Sequence, residues 1–198
     1  MSRKFYRKTK RLEVRPLQRK DFNAWILANS TMLPQQNTWD SENRDSSELS
    51  LKKFIALLKD QKAKRITEEF CDYGIFNIKT GELIGQIALM NFIRSVTQSS
   101  FLGYRIYNRY WGKGYAQEAI MAVVDIAFKD HQLHRVVAGI EPQNKRSLSV
   151  VKKLGFRYEG LSKRVVLLRD QWRDLSQYAL TTEDLGIPWI GTIQKRKR

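Results

Sequence analysis

The sequence has few of the features that define membrane, secreted or metal-binding proteins. It contains a single cysteine, Cys71, which excludes a disulfide framework and a site built from several cysteines. No run of about 18 apolar residues is present, so no segment is predicted to span a membrane. The basic N-terminus is not followed by the apolar stretch of a signal peptide. These absences predict a cytoplasmic protein without a metal site.

The overall composition is typical of one folded domain. Hydrophobic residues make up 42% of the 198 residues and charged residues 28%, and a chain of this length buries a sizeable core. No internal repeat interrupts the pattern. We predict a basic extension at residues 1–11, a single domain at residues 12–184 and a basic tail at residues 185–198.

The formal net charge of +16 is concentrated at the two ends of the chain. Residues 1–20 contain nine basic residues and one acidic residue, and the last four residues add four positive charges. The remaining 174 residues carry only +4. Basic ends attract polyanions without reading their sequence. They either keep the protein soluble or hold it near RNA or a ribosome, and the sequence leaves both interpretations open.

The hydrophobic pattern predicts a mixed α/β sheet, with strands first paired in hairpins and later alternating with helices. A short strand is expected at residues 12–17. Asp21 is expected to cap a first helix. The capping box at residues 45–48 precedes a second helix that places Leu51, Phe54, Ile55 and Leu58 on one face. The later strands are predicted at residues 70–77, 83–92, 99–106, 135–140, 157–168 and 172–181, and the later helices at residues 115–129 and 145–154.

The stretch between residues 100 and 119 carries the clearest chemical signal. A strand runs into a loop that contains Gly112 and Gly114, and the loop opens a helix. Glycines let successive N–H groups point the same way, and a helix N-terminus adds unpaired donors. Such an assembly binds phosphate or pyrophosphate, although a plain strand-to-helix turn has the same pattern. The spacing matches neither a Walker loop nor a dinucleotide fingerprint.

Three motifs, in order, resemble the GCN-related N-acetyltransferases, the GNAT superfamily. Residues 109–114, Arg-Tyr-Trp-Gly-Lys-Gly, match the family signature Arg/Gln-x-x-Gly-x-Gly/Ala. Residues 144–147, Asn-Lys-Arg-Ser, and residues 153–156, Lys-Leu-Gly-Phe, are similar to its Asn-x-x-Ser and Lys-x-Gly-Phe segments. Residues 171–174 precede the last strand as the third match. The combination resembles the branch that contains the Rim-type ribosomal-protein alanine N-acetyltransferases.

The resemblance implies a mixed, mostly antiparallel sheet of about seven strands with about four helices. Two parallel central strands, at residues 102–106 and 135–140, would splay apart and hold acetyl-CoA as co-substrate, with no metal. The residues that the resemblance assigns to acetyl-CoA are Tyr104 and Ile106 for the pantetheine arm, Arg109, Gly112, Lys113, Gly114, Tyr115 and Ala116 for the pyrophosphate loop, and Asn144 for the pantetheine arm or the reacting centre.

The implied reaction is direct transfer of the acetyl group to a neutral amine held in the same cleft. An α-amine, with a pKa of about 7.7–8.0, needs little help to lose its proton, whereas a lysine, at about 10.4, needs a strong base. The pKa difference favours the N-terminal α-amine of a protein as acceptor, and the resemblance to the Rim-type branch implies a ribosomal protein. The alternatives are a polyamine, amino acid or antibiotic as acceptor, or a noncatalytic RNA-associated module. Monomer and homodimer are both compatible with the sequence.

Candidate catalytic residues follow the same motifs. Many relatives have a tyrosine as acid to the leaving thiolate, but this chain has Val151 there, so Ser147 or solvent must protonate the sulfur. Asn144 lies near the reacting centre, and Glu141, at the end of a splayed strand, is the best carboxylate for a base. Its plainer interpretation is a polar strand end. The two candidates for the acceptor channel are Trp39 and Trp172, for which packing is an equal alternative.

Overall fold

An eight-stranded sheet with helices on both faces forms the described part of the chain. The structure is a computed structural model that describes residues 4–40 and 43–191. Its elements are β1 (Arg7–Lys8), β2 (Leu12–Arg15), α1 (Phe22–Ser30), α2 (Leu51–Ile66), β3 (Phe70–Asn77), β4 (Leu83–Ile93), β5 (Ser99–Ile106), α3 (Tyr115–Lys129), β6 (Arg135–Ile140), α4 (Lys145–Lys153), β7 (Arg157–Leu168) and β8 (Gln171–Thr181). The strand order is β1-β2-β3-β4-β5-β6-β8-β7.

All neighbouring strands are antiparallel except β5 and β6. The predicted α/β class and mostly antiparallel sheet are therefore confirmed. The sheet has one strand more than the predicted seven, because β1 adds an edge strand next to β2. None of the helices in the two described ranges is long and apolar enough to cross a membrane.

The sheet separates two hydrophobic cores. Helices α3 and α4 pack with the larger core on one face, and α1 and α2 pack with the smaller core on the other. Strand β3 shows how alternation produces this arrangement, since Tyr73 and Ile75 belong to the larger core and Phe76 to the smaller one. Helices thus cover both faces of the sheet except at the edge strand β7, where most residues are exposed.

The parallel pair opens partway along its length. Pairing between β5 and β6 runs from Ser99–Arg135 to Phe101–Val137 and then ends. Beyond that point β5 stays paired with β4 as far as Ile106, and β6 stays paired with β8 as far as Ile140. The two strands therefore diverge toward their carboxyl ends, as predicted for the splayed pair.

Residues 5–11, within the predicted basic extension at residues 1–11, pack against the rest of the domain. Besides the β1 pairing, Phe5 stacks on His131 with ring centroids 4.7 Å apart. The guanidinium of Arg7 forms ion pairs with Asp125 and Asp130 of α3 and the residue after it. These partners are more than 100 residues away in sequence, so local patterns do not reveal them. The last residues of the predicted basic tail, 192–198, lie outside the described residues.

The region before β3 also differs from expectation in detail. Helix α2 begins at Leu51 with Ser50 as its cap, whereas Asp45 caps a short 3₁₀ turn before it. Of the predicted apolar stripe, Phe54 is fully buried, but Leu51 and Ile55 are exposed. Leu57 and Leu58 pack against the smaller core and Gln61 is buried, so the packed face of α2 is rotated relative to the predicted one.

Candidate active site

A cleft of about 630 Å³ lies where β5 and β6 diverge. Its wall also includes the loop at residues 37–40, the first turn of α4 and the β7–β8 hairpin. The sequence-predicted residues that the fold brings to this cleft are Trp39, Tyr104, Ile106, Ala116, Glu141, Asn144 and Ser147.

The glycine loop turns the chain from β5 into α3 beside this cleft. Gly112 and Gly114 have φ angles of +74° and +75°, which glycine adopts without strain. The first amides of α3 have no acceptor within the helix and point toward the loop. A Cβ built on Gly112 would meet no atom within 4 Å, so the space above the loop is open. This geometry fits a phosphate group held by backbone N–H donors.

The sequence did not predict that Arg146 and Trp111 contact each other beside the loop. Arg146, in the first turn of α4, stacks on the ring of Trp111 with its guanidinium carbon 3.8 Å from the ring centroid. Both residues line the cleft, as does Lys145. Positive charge next to a backbone phosphate site favours an anionic ligand. The contact joins residues 35 positions apart, so only the basic residues after Asn144 gave a signal.

The N-terminal segment braces the same loop from outside. Arg11 donates from Nη1 to the carbonyl oxygen of Lys113 at 2.8 Å and pairs through Nε with Glu118 at 2.6 Å. Burial works to raise the pKa of Glu118, but hydrogen bonds from Thr9 and Arg11 leave it lowered. Glu118 is therefore an ionised anchor that ties α3 to the turn between β1 and β2.

The opposite end of the cleft contains a buried carboxylate under a tryptophan. Trp39 donates from Nε1 to Oε1 of Glu141 at 2.6 Å, and Glu141 is 9% exposed. The loop that carries Trp39 is held in place by Asn108, which donates to Asp40 Oδ2 at 2.9 Å and accepts from the Leu33 amide at 3.0 Å. Sequence reasoning missed Asn108, because its partners lie about 70 residues away.

Asn144 has a structural role as well as a place in the cleft. Its Oδ1 accepts from the amide of Ser147 at 3.1 Å, which caps α4. The side-chain nitrogen of Asn144, Nδ2, is then the group that can donate a hydrogen bond to a ligand.

Several predicted residues lie away from the cleft lining. The guanidinium of Arg109 donates to the carbonyl oxygen of Thr31 and so holds the end of α1. Trp172 is 62% exposed and pairs across the hairpin with Leu167. Leu175, three residues further along β8, lines the cleft, and residues three apart on a strand face opposite sides. Trp172 is therefore not part of the acceptor channel, a correction to the prediction. Lys113 lies in the loop and Tyr115 is the first residue of α3, and neither side chain is part of the lining.

Two splayed parallel strands beside a glycine loop at a helix N-terminus define an α/β protein that binds a phosphate-bearing ligand along the opening. The acetyltransferase (GNAT) domain family matches residues 11–157. The chain therefore belongs to the GNAT acetyltransferases.

Individual relatives agree with this assignment. The probable N-acetyltransferase YjcK of Bacillus subtilis (strain 168) is 35% identical over 158 residues, which cover 73% of this chain and 85% of that protein. The ribosomal protein uS5-alanine N-acetyltransferase of Escherichia coli (strain K12) is 37% identical over 112 residues, which cover 57% of this chain and 58% of that enzyme.

A solved structure extends the similarity to three dimensions. Mycobacterium smegmatis RimJ in complex with CoA-disulfide has a TM-score of 0.72 at 26% identity, covering 88% of this chain and 84% of that one. Together these similarities support the Rim-type branch. The chain is an N-acetyltransferase that uses acetyl-CoA as acetyl donor.

Proposed function

We propose that this protein acetylates the N-terminal α-amine of a protein in the cytoplasm, and that a ribosomal protein is its acceptor. The similarity to the uS5-alanine N-acetyltransferase supports this acceptor class. The charge of the cleft is the observation that carries it. Four basic and two acidic side chains line the cleft: Arg105, Lys145, Arg146 and Arg169 against Asp40 and Glu141. Lys145 and Arg146 lie at the phosphate end, so the rest of the wall has two basic and two acidic side chains. It offers no excess of carboxylates to a polyamine, whereas a peptide N-terminus brings one positive charge followed by neutral backbone.

In this proposal the two ends of the cleft divide the work. The amides of residues 112–116 hold the pyrophosphate, with Arg146 nearby. Glu141 takes the proton that the attacking amine loses, directly or through a water, and the indole of Trp39 keeps the carboxylate oriented. A backbone N–H on the splayed part of β6 stabilises the charge that develops on the carbonyl oxygen. Most of the rate comes from holding both reactants in one cleft.

The proposal is tested by intact-mass analysis of ribosomal proteins after incubation with this protein and acetyl-CoA. The expected result is an acetyl-sized mass gain on one protein, mapped to its N-terminal residue. A synthetic peptide of that N-terminus should be acetylated, and the same peptide with a blocked N-terminus but a free lysine should not. Acetylation of spermidine with a higher kcat/KM than the peptide would replace this acceptor with a small amine.

Contact with RNA also belongs to this proposal, and the structure indicates which basic residues are free to make that contact. The guanidinium groups of Arg7, Arg11 and Arg15 are each ion-paired with a carboxylate of the domain. In contrast, α2 exposes Lys52, Lys53, Lys59 and Lys62. We place nonspecific attraction to ribosomal RNA on α2, on the basic tail and on the exposed residues Lys8, Lys10, Arg19 and Lys20 of the N-terminal segment.

A further inference from the structure

Tyr104 lies on the part of β5 that has separated from β6. The last β5 residue paired with β6 is Phe101, three positions earlier. Leu102 and Ile106 are buried in the core between the sheet and helices α3 and α4, and Tyr104 packs against the same core. Its side chain therefore lies on the α4 side of the cleft, which is also the side of Ser147.

The hydroxyl of Tyr104 is buried and has no hydrogen bond of standard geometry to a described residue, although the Ser147 hydroxyl is near enough to act on its pKa. A buried hydroxyl without a partner costs about 1–3 kcal/mol, so a native protein keeps one where a ligand or water completes it. The phenol lies on the wall of the cleft that would hold the acetyl donor. Its missing partner is therefore expected to be an atom of that donor or a water beside it.

The phenol is protonated at neutral pH. Burial raises the pKa of Tyr104, and the neighbouring hydroxyl of Ser147 acts in the opposite direction. The reference pKa of a tyrosine is about 10, close to that of an alkyl thiol. A phenol is therefore well matched to return a proton to a thiolate, and it is a much stronger acid than the serine hydroxyl.

No other tyrosine takes this role at the position where relatives have one. Val151 occupies it, is fully buried and packs in the larger core. The proton for the leaving sulfur must then come from Ser147, from solvent or from Tyr104, and Tyr104 combines the suitable acidity with an unpartnered hydroxyl.

We propose that Tyr104 is the general acid of the reaction. The new C–N bond forms as the C–S bond breaks, and the Oη–H of Tyr104 transfers its proton to the departing sulfur to give the CoA thiol. Glu141 receives the proton lost by the amine and passes it to water, and water reprotonates the tyrosinate. This inference rests on the proposed function of the cleft.

The first test compares Tyr104→Phe with Tyr107→Phe. Tyr107 is a matched control, because its hydroxyl is also buried without a hydrogen bond to a described residue but lies outside the cleft. For Tyr104→Phe we expect kcat to fall about 100-fold with KM for acetyl-CoA almost unchanged. Tyr107→Phe should leave kcat unchanged. Equal kcat in wild type and Tyr104→Phe would overturn the assignment, and a loss confined to Ser147→Ala would move the role to Ser147.

The second test does not depend on turnover. A phenol that donates to sulfur stabilises the thiolate of bound CoA and lowers its pKa. Titration of CoA bound to each variant, followed by thiolate ultraviolet absorbance, should show this pKa about one unit higher in Tyr104→Phe than in wild type or Tyr107→Phe. An unchanged pKa contradicts the proposal. If the wild type acetylates no amine, the proposed function fails, and the titration still decides the contact of Tyr104 with sulfur.

A fluorinated tyrosine at position 104 provides a variant that preserves shape and packing if Tyr104→Phe does not fold. Fluorine lowers the pKa of the phenol, so the alkaline limb of the kcat profile should move to lower pH. If kcat falls at the same alkaline pH as in wild type, Tyr104 is not the acid.

Discussion

At the scale of single residues, Gly112 controls how the loop approaches a phosphate. Its φ of +74° is strained for any residue with a Cβ, even though a Cβ would clash with nothing. We expect Gly112→Ala to lose about 1 kcal/mol of stability and to weaken CoA binding at least tenfold, because the loop amides lose their alignment. Gly186→Ala is the control, since Gly186 has φ of +66° and equal space but lies far along the chain from the loop.

Denaturant unfolding and calorimetric titration with CoA separate these two effects. Both alanine variants should lose similar stability, and only Gly112→Ala should lose CoA affinity. Unchanged CoA affinity in Gly112→Ala would show that the loop does not hold the pyrophosphate.

Glu141 is the residue whose charge the proposed reaction needs. In Glu141→Gln the amide oxygen still accepts the hydrogen bond from Trp39, so the loop stays in place while the base is lost. We expect kcat to fall about 100-fold. Trp39→Phe removes only the hydrogen-bond donor, so its kcat should fall less than that of Glu141→Gln. Steady-state kinetics with an N-terminal peptide as acceptor measures both changes. A larger loss in Trp39→Phe than in Glu141→Gln would make Glu141 a support for the loop rather than a base.

A buried histidine and a half-buried aspartate outside the site have opposite effects on the pH dependence of stability. Burial lowers the pKa of His131 to about 4 and raises that of Asp72 to about 6. Below about pH 6.5 the unfolded chain protonates His131 before the folded protein does, so this group removes stability as pH falls. Asp72 does the reverse, because the folded protein binds its proton first.

Unfolding free energies between about pH 6.5 and 5 test this opposition. We expect Asp72→Asn to lose stability more steeply than wild type as pH falls, because only the effect of His131 remains. His131→Gln should lose stability less steeply than wild type. Parallel curves for the three proteins would mean that neither group is perturbed in the folded state.

At the scale of elements, the first turn of α4 combines a cap with a ligand-facing donor. Asn144→Asp keeps the oxygen that accepts from the Ser147 amide and removes the NH₂ group, whereas Asn144→Ala removes both. We expect Asn144→Ala to lose about 1 kcal/mol of stability and Asn144→Asp almost none. Both variants should show weaker acetyl-CoA binding by calorimetry. Full binding by Asn144→Asp would restrict Asn144 to capping.

The elements around the cleft could be predicted from sequence because their signals are local. Strands β3, β5, β6 and β7 and helix α3 have the predicted bounds, since apolar periodicity and turn residues define each one. The motif residues Asn144 and Ser147 also reached the cleft as expected. The features that failed depend on distant partners. The β1 pairing, the stacking of Arg146 on Trp111 and the outward direction of Trp172 are set by tertiary packing.

At the scale of the whole molecule, helix α2 exposes a group of positive charges in addition to those near the ends of the chain. We expect replacement of Lys52, Lys53, Lys59 and Lys62 by glutamine to weaken retention on ribosomal RNA at low salt and to reduce the salt dependence of binding. Replacement of four lysines or arginines elsewhere on the surface, at Lys152, Lys153, Lys163 and Arg164, is the control of equal charge. Equal weakening by both sets would indicate general charge attraction without a preferred face.

The brace between Arg11 and helix α3 has a consequence for how this enzyme is handled. The N-terminal segment and the acetyl donor both act on the start of α3, so each should favour the other's docking by the same free energy. CoA should therefore slow amide hydrogen exchange and proteolytic cleavage around residues 5–11. By the same reciprocity, an affinity tag or fusion that disturbs the first residues is expected to weaken CoA binding, so a purification tag is better placed at the C-terminus.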